Sequence, residues 1–127
     1  MSDGPARLCL IGCGKIGTTH ALASRRAPER VAHDALFDAS PGAAAAFSER
    51  LGGGYRVIGR WEDVLADPEI DAVDLCVPNS RHVEMALEAF NAGKHVFTEK
   101  PMALSVADCD RMTQAARSQG LQFSVMH

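Results

Sequence analysis

At 127 residues, with 46% hydrophobic and 23% charged, the chain has the size and composition of one ordinary globular domain spanning residues 1–127, which excludes a disordered or fibrous protein. Its formal net charge of −3, with Arg25, Arg26 and Arg30 as the basic cluster, lacks the concentrated positive face that nucleic-acid binding requires. No apolar run approaches the roughly 18 residues of a membrane span. Met1 to Pro5 also lacks the basic and apolar regions of a signal peptide, so a cytoplasmic protein is expected.

Arg7 to Ile11 is a short apolar run ending in glycine, the pattern of a strand buried on both faces. It runs into "GCGKIG", with Gly12, Gly14 and Gly17 spaced G-x-G-x-x-G. Lys15 to about Ala27 is helix-compatible, with Ile16, His20 and Ala23 inward, Pro28 as its stop and the arginine cluster in its solvated last turn. His20 reads as a packing histidine. Val31 to Phe37 gives a second strand, and Ser40-Pro41 predicts a helix start with Ala44, Phe47 and Leu51 on its inner stripe and Gly52 to Gly54 as its end.

Tyr55 to Ile58 suits a short strand, Trp61 to Leu65 a short helix and Asp67-Pro68 a turn. Ala72 to Val77 is the next strand; Asp74 interrupts it, a carboxylate that a buried strand holds only with a partner the sequence does not name. Ser80 predicts a capped helix to about Ala92, with Val83, Ala86, Leu87 and Phe90 inward and Gly93 as its stop. His95 to Thr98 is the fifth strand. A helix from Ser105, with Val106, Cys109, Met112 and Ala116 inward, is closed by Gly120, and Leu121 to Met126 is the sixth strand. Strands alternating with helices at this spacing predict an α/β fold of the Rossmann type: a doubly wound parallel sheet of about six strands with helices on both faces.

In that fold the glycine loop lies between the first strand and the first helix. There Gly12 permits a tight turn, Gly14 lets the backbone approach a pyrophosphate and Gly17 lets the helix pack on the strand, while amides near Lys15 and Ile16 face the anion at the positive helix end. Asp38, 21 positions beyond Gly17, is placed to accept hydrogen bonds from the adenosine ribose. Its charge would repel a 2′-phosphate and Ala39-Ser40-Pro41 offers no arginine, which favours NAD over NADP. The alternatives are a phosphate-free turn and a solvated loop carboxylate. Cys9, Cys13, Cys76 and Cys109 have no C-x-x-C spacing and read as reduced thiols, and the five histidines show no i, i+4 pairing, so no metal site is expected.

With the glycine loop, "DAVDLCVPNSRH" and "GKHVFTEKP" resemble the Gfo/Idh/MocA family of oxidoreductases, and the similarity runs from the first strand to Met126. The resemblance implies that Gly12, Gly14 and Gly17 hold the pyrophosphate and Asp38 the ribose. It further implies that Pro78, Asn79 and His82 lie beside the nicotinamide, that Glu99 orients the site, and that Lys100 is the catalytic lysine, with Lys100-Pro101 a candidate cis bond. The implied reaction is hydride transfer between nicotinamide and an alcohol carbon of a sugar, cyclitol or similar substrate. Taken alone, Glu99 and Lys100 also read as a surface ion pair, and His82 as a helix-surface residue. Lys100 nonetheless follows the carboxyl end of a strand, the ligand-binding edge of such sheets, where burial and a cationic ring would both lower its pKa into a useful range. The family's second, substrate-bearing domain is absent from this sequence. The expected alternative is therefore a non-catalytic NAD-binding module, truncated or completed by a partner chain, with a homo-oligomer possible through uncovered apolar surface.

Overall fold

The structure, a computed structural model, describes residues 4–99, 103 and 105–126. Six strands, β1 (Ala6–Ile11), β2 (Val31–Phe37), β3 (Arg56–Val57), β4 (Ala72–Leu75), β5 (His95–Glu99) and β6 (Phe123–Met126), form one parallel sheet in the order β3-β2-β1-β4-β5-β6. The chain starts in the middle, winds outward to β3, then crosses back over β1 to build β4 to β6, which leaves a crevice at the carboxyl ends of β1 and β4. Parallel pairing requires crossover segments. These are α1 (Lys15–Ser24), α2 (Ala43–Arg50), α3 (Trp61–Ala66), α4 (His82–Asn91) and α5 (Val106–Gln119), with a single 3-10 turn, Asn79–Arg81, leading into α4.

Alternation along the strands divides the core in two. Cys9, Ile11, Val73, Leu75 and Val96 point to one face, where Met85, Ala86, Phe90, Met112 and Ala116 of α4 and α5 cover them. Leu10 and Leu36 point to the other, against Ala21 of α1 and Ala44 and Phe47 of α2. A bulge resets β2: Leu8 pairs with His33 but Cys9 with Ala35, so Asp34 is the extra residue. The reset puts both His33 and Leu36 on the α1 face, which unbroken alternation could not do.

Several predicted boundaries shift for local reasons. Helix α1 stops at Ser24, not Ala27, because the ring of Pro28 excludes a helical bond at the carbonyl four residues back; that carbonyl instead accepts from the Ala27 amide at 3.2 Å. Ile16 and Ala23 face solvent, and the inward side carries Gly17, His20 and Ala21. Helix α2 starts at Ala43 because Gly42 sits at φ +79°, so Ser40-Pro41 forms a turn rather than a cap. The third strand shrinks to two exposed edge residues, and Ser80 makes no cap because the 3-10 turn intervenes. Ser105 does cap α5, accepting from the Asp108 amide at 3.1 Å, but Val106 is 78% exposed and the buried stripe starts with Met112. All four cysteines are free thiols.

Phe47 is fully buried on the inner side of α2, whereas Val106 is largely exposed. Phe47→Ala is expected to cost about 3–5 kcal/mol in urea unfolding and Val106→Ala less than about 0.5. Equal effects would show that the second cluster is not a core.

Candidate functional site

Gly12 ends β1 at φ +98°, and its amide donates to the Phe37 carbonyl at 2.9 Å, tying the loop to β2. A Cβ there would lie 2.2 Å from the Cys76 carbonyl oxygen, so both conformation and space require glycine. Gly17 is equally constrained, since its Cβ would meet the Gly12 carbonyl oxygen at 2.4 Å and a Leu10 methyl at 3.2 Å; its absence lets α1 descend onto its own loop. Gly14 differs. It has an ordinary extended conformation and nothing within 4 Å of the Cβ position, so the space before it is open.

The first intrahelical bond of α1 runs from Thr18 N to Gly14 O at 3.0 Å. The amides of Lys15, Ile16 and Gly17 therefore precede it without intrahelical acceptors, and no side chain caps them. The side chains of Lys15 and Ile16 are both exposed. Across the crevice, Asp38 is fixed through both oxygens: Oδ2 accepts from the Cys13 amide and Oδ1 from the Ser40 amide, each at 2.8 Å. This turns the carboxylate towards a cavity of about 650 Å³ that Gly12, Gly14 and Pro78 also line, a size typical of ligand sites. Burial, then the charge of Asp38, pushes the Cys13 thiol up to about 12, so it is an inert packing group in the loop.

The other candidates are dispersed. Asn79 lines a separate groove between α4 and α5. His82 is fully buried: Nε2 lies 2.9 Å from the Val77 carbonyl oxygen, which accepts its proton, and Nδ1 lies 3.2 Å from Thr98 Oγ1. Its ring thus joins the turn after β4 to β5 and does not take a position on the helix surface. Glu99 ends β5 with its side chain 28% exposed. Lys100 and Pro101, including the expected cis bond, lie outside the described residues. The cavity lining also includes residues with no predicted role, among them Trp61, whose Nε1 donates to Glu88 at 3.3 Å, Glu62 and Arg81. Their signal was positional, since each follows a strand's carboxyl end.

Asp74, which lacked a named partner, is 3% exposed and has three. His20 Nδ1 lies 2.8 Å from Oδ2, His33 Nε2 lies 2.9 Å from the same oxygen, and the Cys76 thiol donates to Oδ1 at 3.7 Å. The other ring nitrogen of His20, Nε2, donates to Glu99 Oε1. The hydrogen bond to Asp74, aided by the charges of Asp74 and Glu99, pushes the His20 imidazole up to about 9 against the opposing effect of burial. Burial would raise the Asp74 carboxyl, but the bonds from the two histidines hold it below the usual range. His20, Asp74 and Cys76 are also the group of metal-ligating side chains whose donor atoms converge among the described residues, within 4.8 Å. Those atoms are already committed to one another.

A family model described as an oxidoreductase family with an NAD-binding Rossmann fold matches residues 6–127. The myo-inositol 2-dehydrogenase of Thermotoga maritima is 33% identical over 114 residues, which are 87% of this chain and 33% of that protein. Among solved structures, the WlbA dehydrogenase of Bordetella pertussis, in complex with NADH and UDP-GlcNAcA, superposes with a TM-score of 0.90 at 32% identity, over 99% of this chain and 36% of that one. The biliverdin reductase of Synechocystis, in complex with biliverdin and NADP+, superposes at 0.85 with 31% identity, over 97% and 38% respectively. The chain thus spans about a third of the length of the relatives it matches. No helix among the described residues is long and apolar enough to cross a membrane.

The raised pKa of His20 has a consequence for stability. A group at 6.5 when unfolded and about 9 when folded stabilises the fold fully below about pH 6.5 and loses that contribution as pH rises through about 9. The contribution is at most ~3 kcal/mol. The urea midpoint of the wild-type chain, measured against that of His20→Gln, is expected to fall across this alkaline window. Parallel profiles for the two proteins would show that His20 is not charged in the folded state.

Proposed function

The chain belongs to the Gfo/Idh/MocA oxidoreductase family as its dinucleotide-binding Rossmann domain, and from that premise we propose that it is the NAD-selective domain of a dehydrogenase for a sugar, cyclitol or similar alcohol. The observation that carries the reading is the pairing, across one crevice, of an open backbone at Gly14 with a carboxylate fixed at Asp38. The amides of Lys15, Ile16 and Gly17 supply unpaired donors of the kind a pyrophosphate uses. Both Asp38 oxygens retain lone pairs for ribose hydroxyls, and their charge disfavours a phosphate in that place. Glu62 lines the same cavity, adding to the negative potential that a 2′-phosphate would meet. A dinucleotide fits this donor and acceptor set.

Bound there, nicotinamide supplies a carbon that takes or gives a hydride. The protein's own contribution is positioning and proton handling. Gly12 and Gly17 fix the loop; Pro78, lining the crevice beyond β4, bounds the side opposite Asp38. The resemblance assigns Lys100 the proton of the substrate hydroxyl, with Glu99 beside it. Lys100 follows the end of β5, so the reacting edge and the cofactor edge are the same edge of the sheet. Cyclitol and nucleotide-sugar relatives support the substrate class.

NADH fluorescence titration tests the binding reading. Wild-type chain is expected to saturate with NADH and to bind NADPH at least about tenfold more weakly, a gap that Asp38→Ser narrows. Because a Cβ at Gly14 meets no atom within 4 Å, Gly14→Val should leave the melting temperature within about 2 °C yet weaken NADH binding more than about tenfold. Unchanged affinity in Gly14→Val would remove the loop from cofactor binding.

A further inference from the structure

Three potential metal ligands meet between α1 and the end of β4, and their spacing is that of a coordination sphere. His20 Nδ1 lies 2.9 Å from Asp74 Oδ1 and 3.3 Å from Cys76 Sγ, and Sγ lies 3.7 Å from Oδ1. A point about 2.1 Å from all three sits about 0.8 Å out of their plane, close to the shallow pyramid that three ligands of a tetrahedral zinc ion form. Asp74 and Cys76 are alternate residues on the α1 face, and His20 is the inward-facing imidazole of α1. A nitrogen, a thiol sulfur and one carboxylate oxygen suit zinc, whereas magnesium and calcium take oxygen ligands.

The outer partners orient these three atoms. His20 Nε2 donates to Glu99 Oε1, so in the neutral ring the lone pair falls on Nδ1. The second oxygen of Asp74, Oδ2, lies 2.9 Å from His33 Nε2, which leaves Oδ1 as the ligand atom. The side chains of His20 and Asp74 are no more than 5% exposed, so bulk water does not compete for them. Cys76 is half-buried and lines the crevice, which gives a cation its way in. A cavity of about 220 Å³ beside His20 and Asp74 has room for a water as the fourth ligand.

The bonds that join the three ligands to one another are protons held between ligand atoms, and a cation takes the place of protons. A neutral imidazole, a carboxylate and a thiolate carry two negative charges in all. A divalent cation that displaces the protons of His20 Nδ1 and Cys76 Sγ to solvent therefore leaves the buried set neutral. Burial, then the charge of Asp74, pushes the Cys76 thiol up, so it is no nucleophile; a coordinated thiol, by contrast, loses its proton outright.

We propose that His20, Asp74 and Cys76 form a binding site for one zinc ion, which pins α1 to the end of β4 at the back of the crevice. The site does not rest on the dehydrogenase reading, and failure of the chain to bind NADH would leave it standing.

The probes are zinc chloride and cobalt(II) chloride, added to the whole chain under reducing conditions. Wild-type protein is expected to take one equivalent of zinc from a chromophoric chelator, and to bind one equivalent of cobalt with a thiolate charge-transfer band in the near ultraviolet. Cys76→Ser is expected to lose that band and to weaken zinc binding more than about tenfold, while Cys109→Ser, at the other half-buried thiol, changes neither. A band that survives Cys76→Ser, or zinc binding no stronger in wild type than in that variant, overturns the proposal. Should Cys76→Ser fail to fold, long-range proton–nitrogen NMR of histidine-labelled wild-type protein decides. One equivalent of zinc is expected to shift the Nδ1 resonance of His20 and leave Nε2 protonated; a His20 ring that zinc does not move overturns the proposal.

Discussion

The close approach of Gly12 to the Cys76 carbonyl oxygen is the contact on which the site depends. With 2.2 Å available to a Cβ, the turn after β1 can lie against the end of β4 only if residue 12 has no side chain. That approach brings together the two strand ends where the winding direction changes, and it aims α1 so that Gly17 rests on the Gly12 carbonyl. From this one contact follow the orientation of three unpaired amides and the entry of His20 between β4 and β5. It also brings the Cys13 amide to Asp38.

The second determinant is electrostatic. A carboxylate at Asp74, in the middle of a parallel sheet, would cost several kcal/mol if unpaired. The bulge at Asp34 brings His33 onto its face and α1 delivers His20, so the β2 irregularity and the buried acid are parts of one solution. This solution ties α1, β2, β4 and β5 together through side chains, in addition to the backbone ladder.

Much of this was legible in the sequence because it is local. The six strands, the glycine loop and Asp38 each rest on neighbours within a short window or on a fixed spacing. What could not be read joins distant residues. His20 and Asp74 are 54 positions apart, so an isolated histidine on a helix and an isolated acid in a strand gave no sign of each other. The anchoring of Asp38 by the Cys13 amide is likewise a contact across 25 positions. The surface reading of His82 fails for a different reason: its place at a helix start looks exposed, and only the carbonyl of Val77 shows that the ring turns inward. Ile16 and Val106 fit the apolar stripes of their helices, yet each sits at the first helical turn with its side chain exposed.

Lys94 shows how unlike the two rims of the sheet are. Its buried ammonium donates to the carbonyls of Asp67 and Ile70, and nearby Asp71 accepts from the Arg7 amide at 2.9 Å, so the amino-terminal rim is sewn shut by its own side chains. The opposite rim keeps donors to spare. Loops there can be exchanged without disturbing the seam that holds the strands in order, and a lineage of such chains is free to change what it recognises while its scaffold stays as it was.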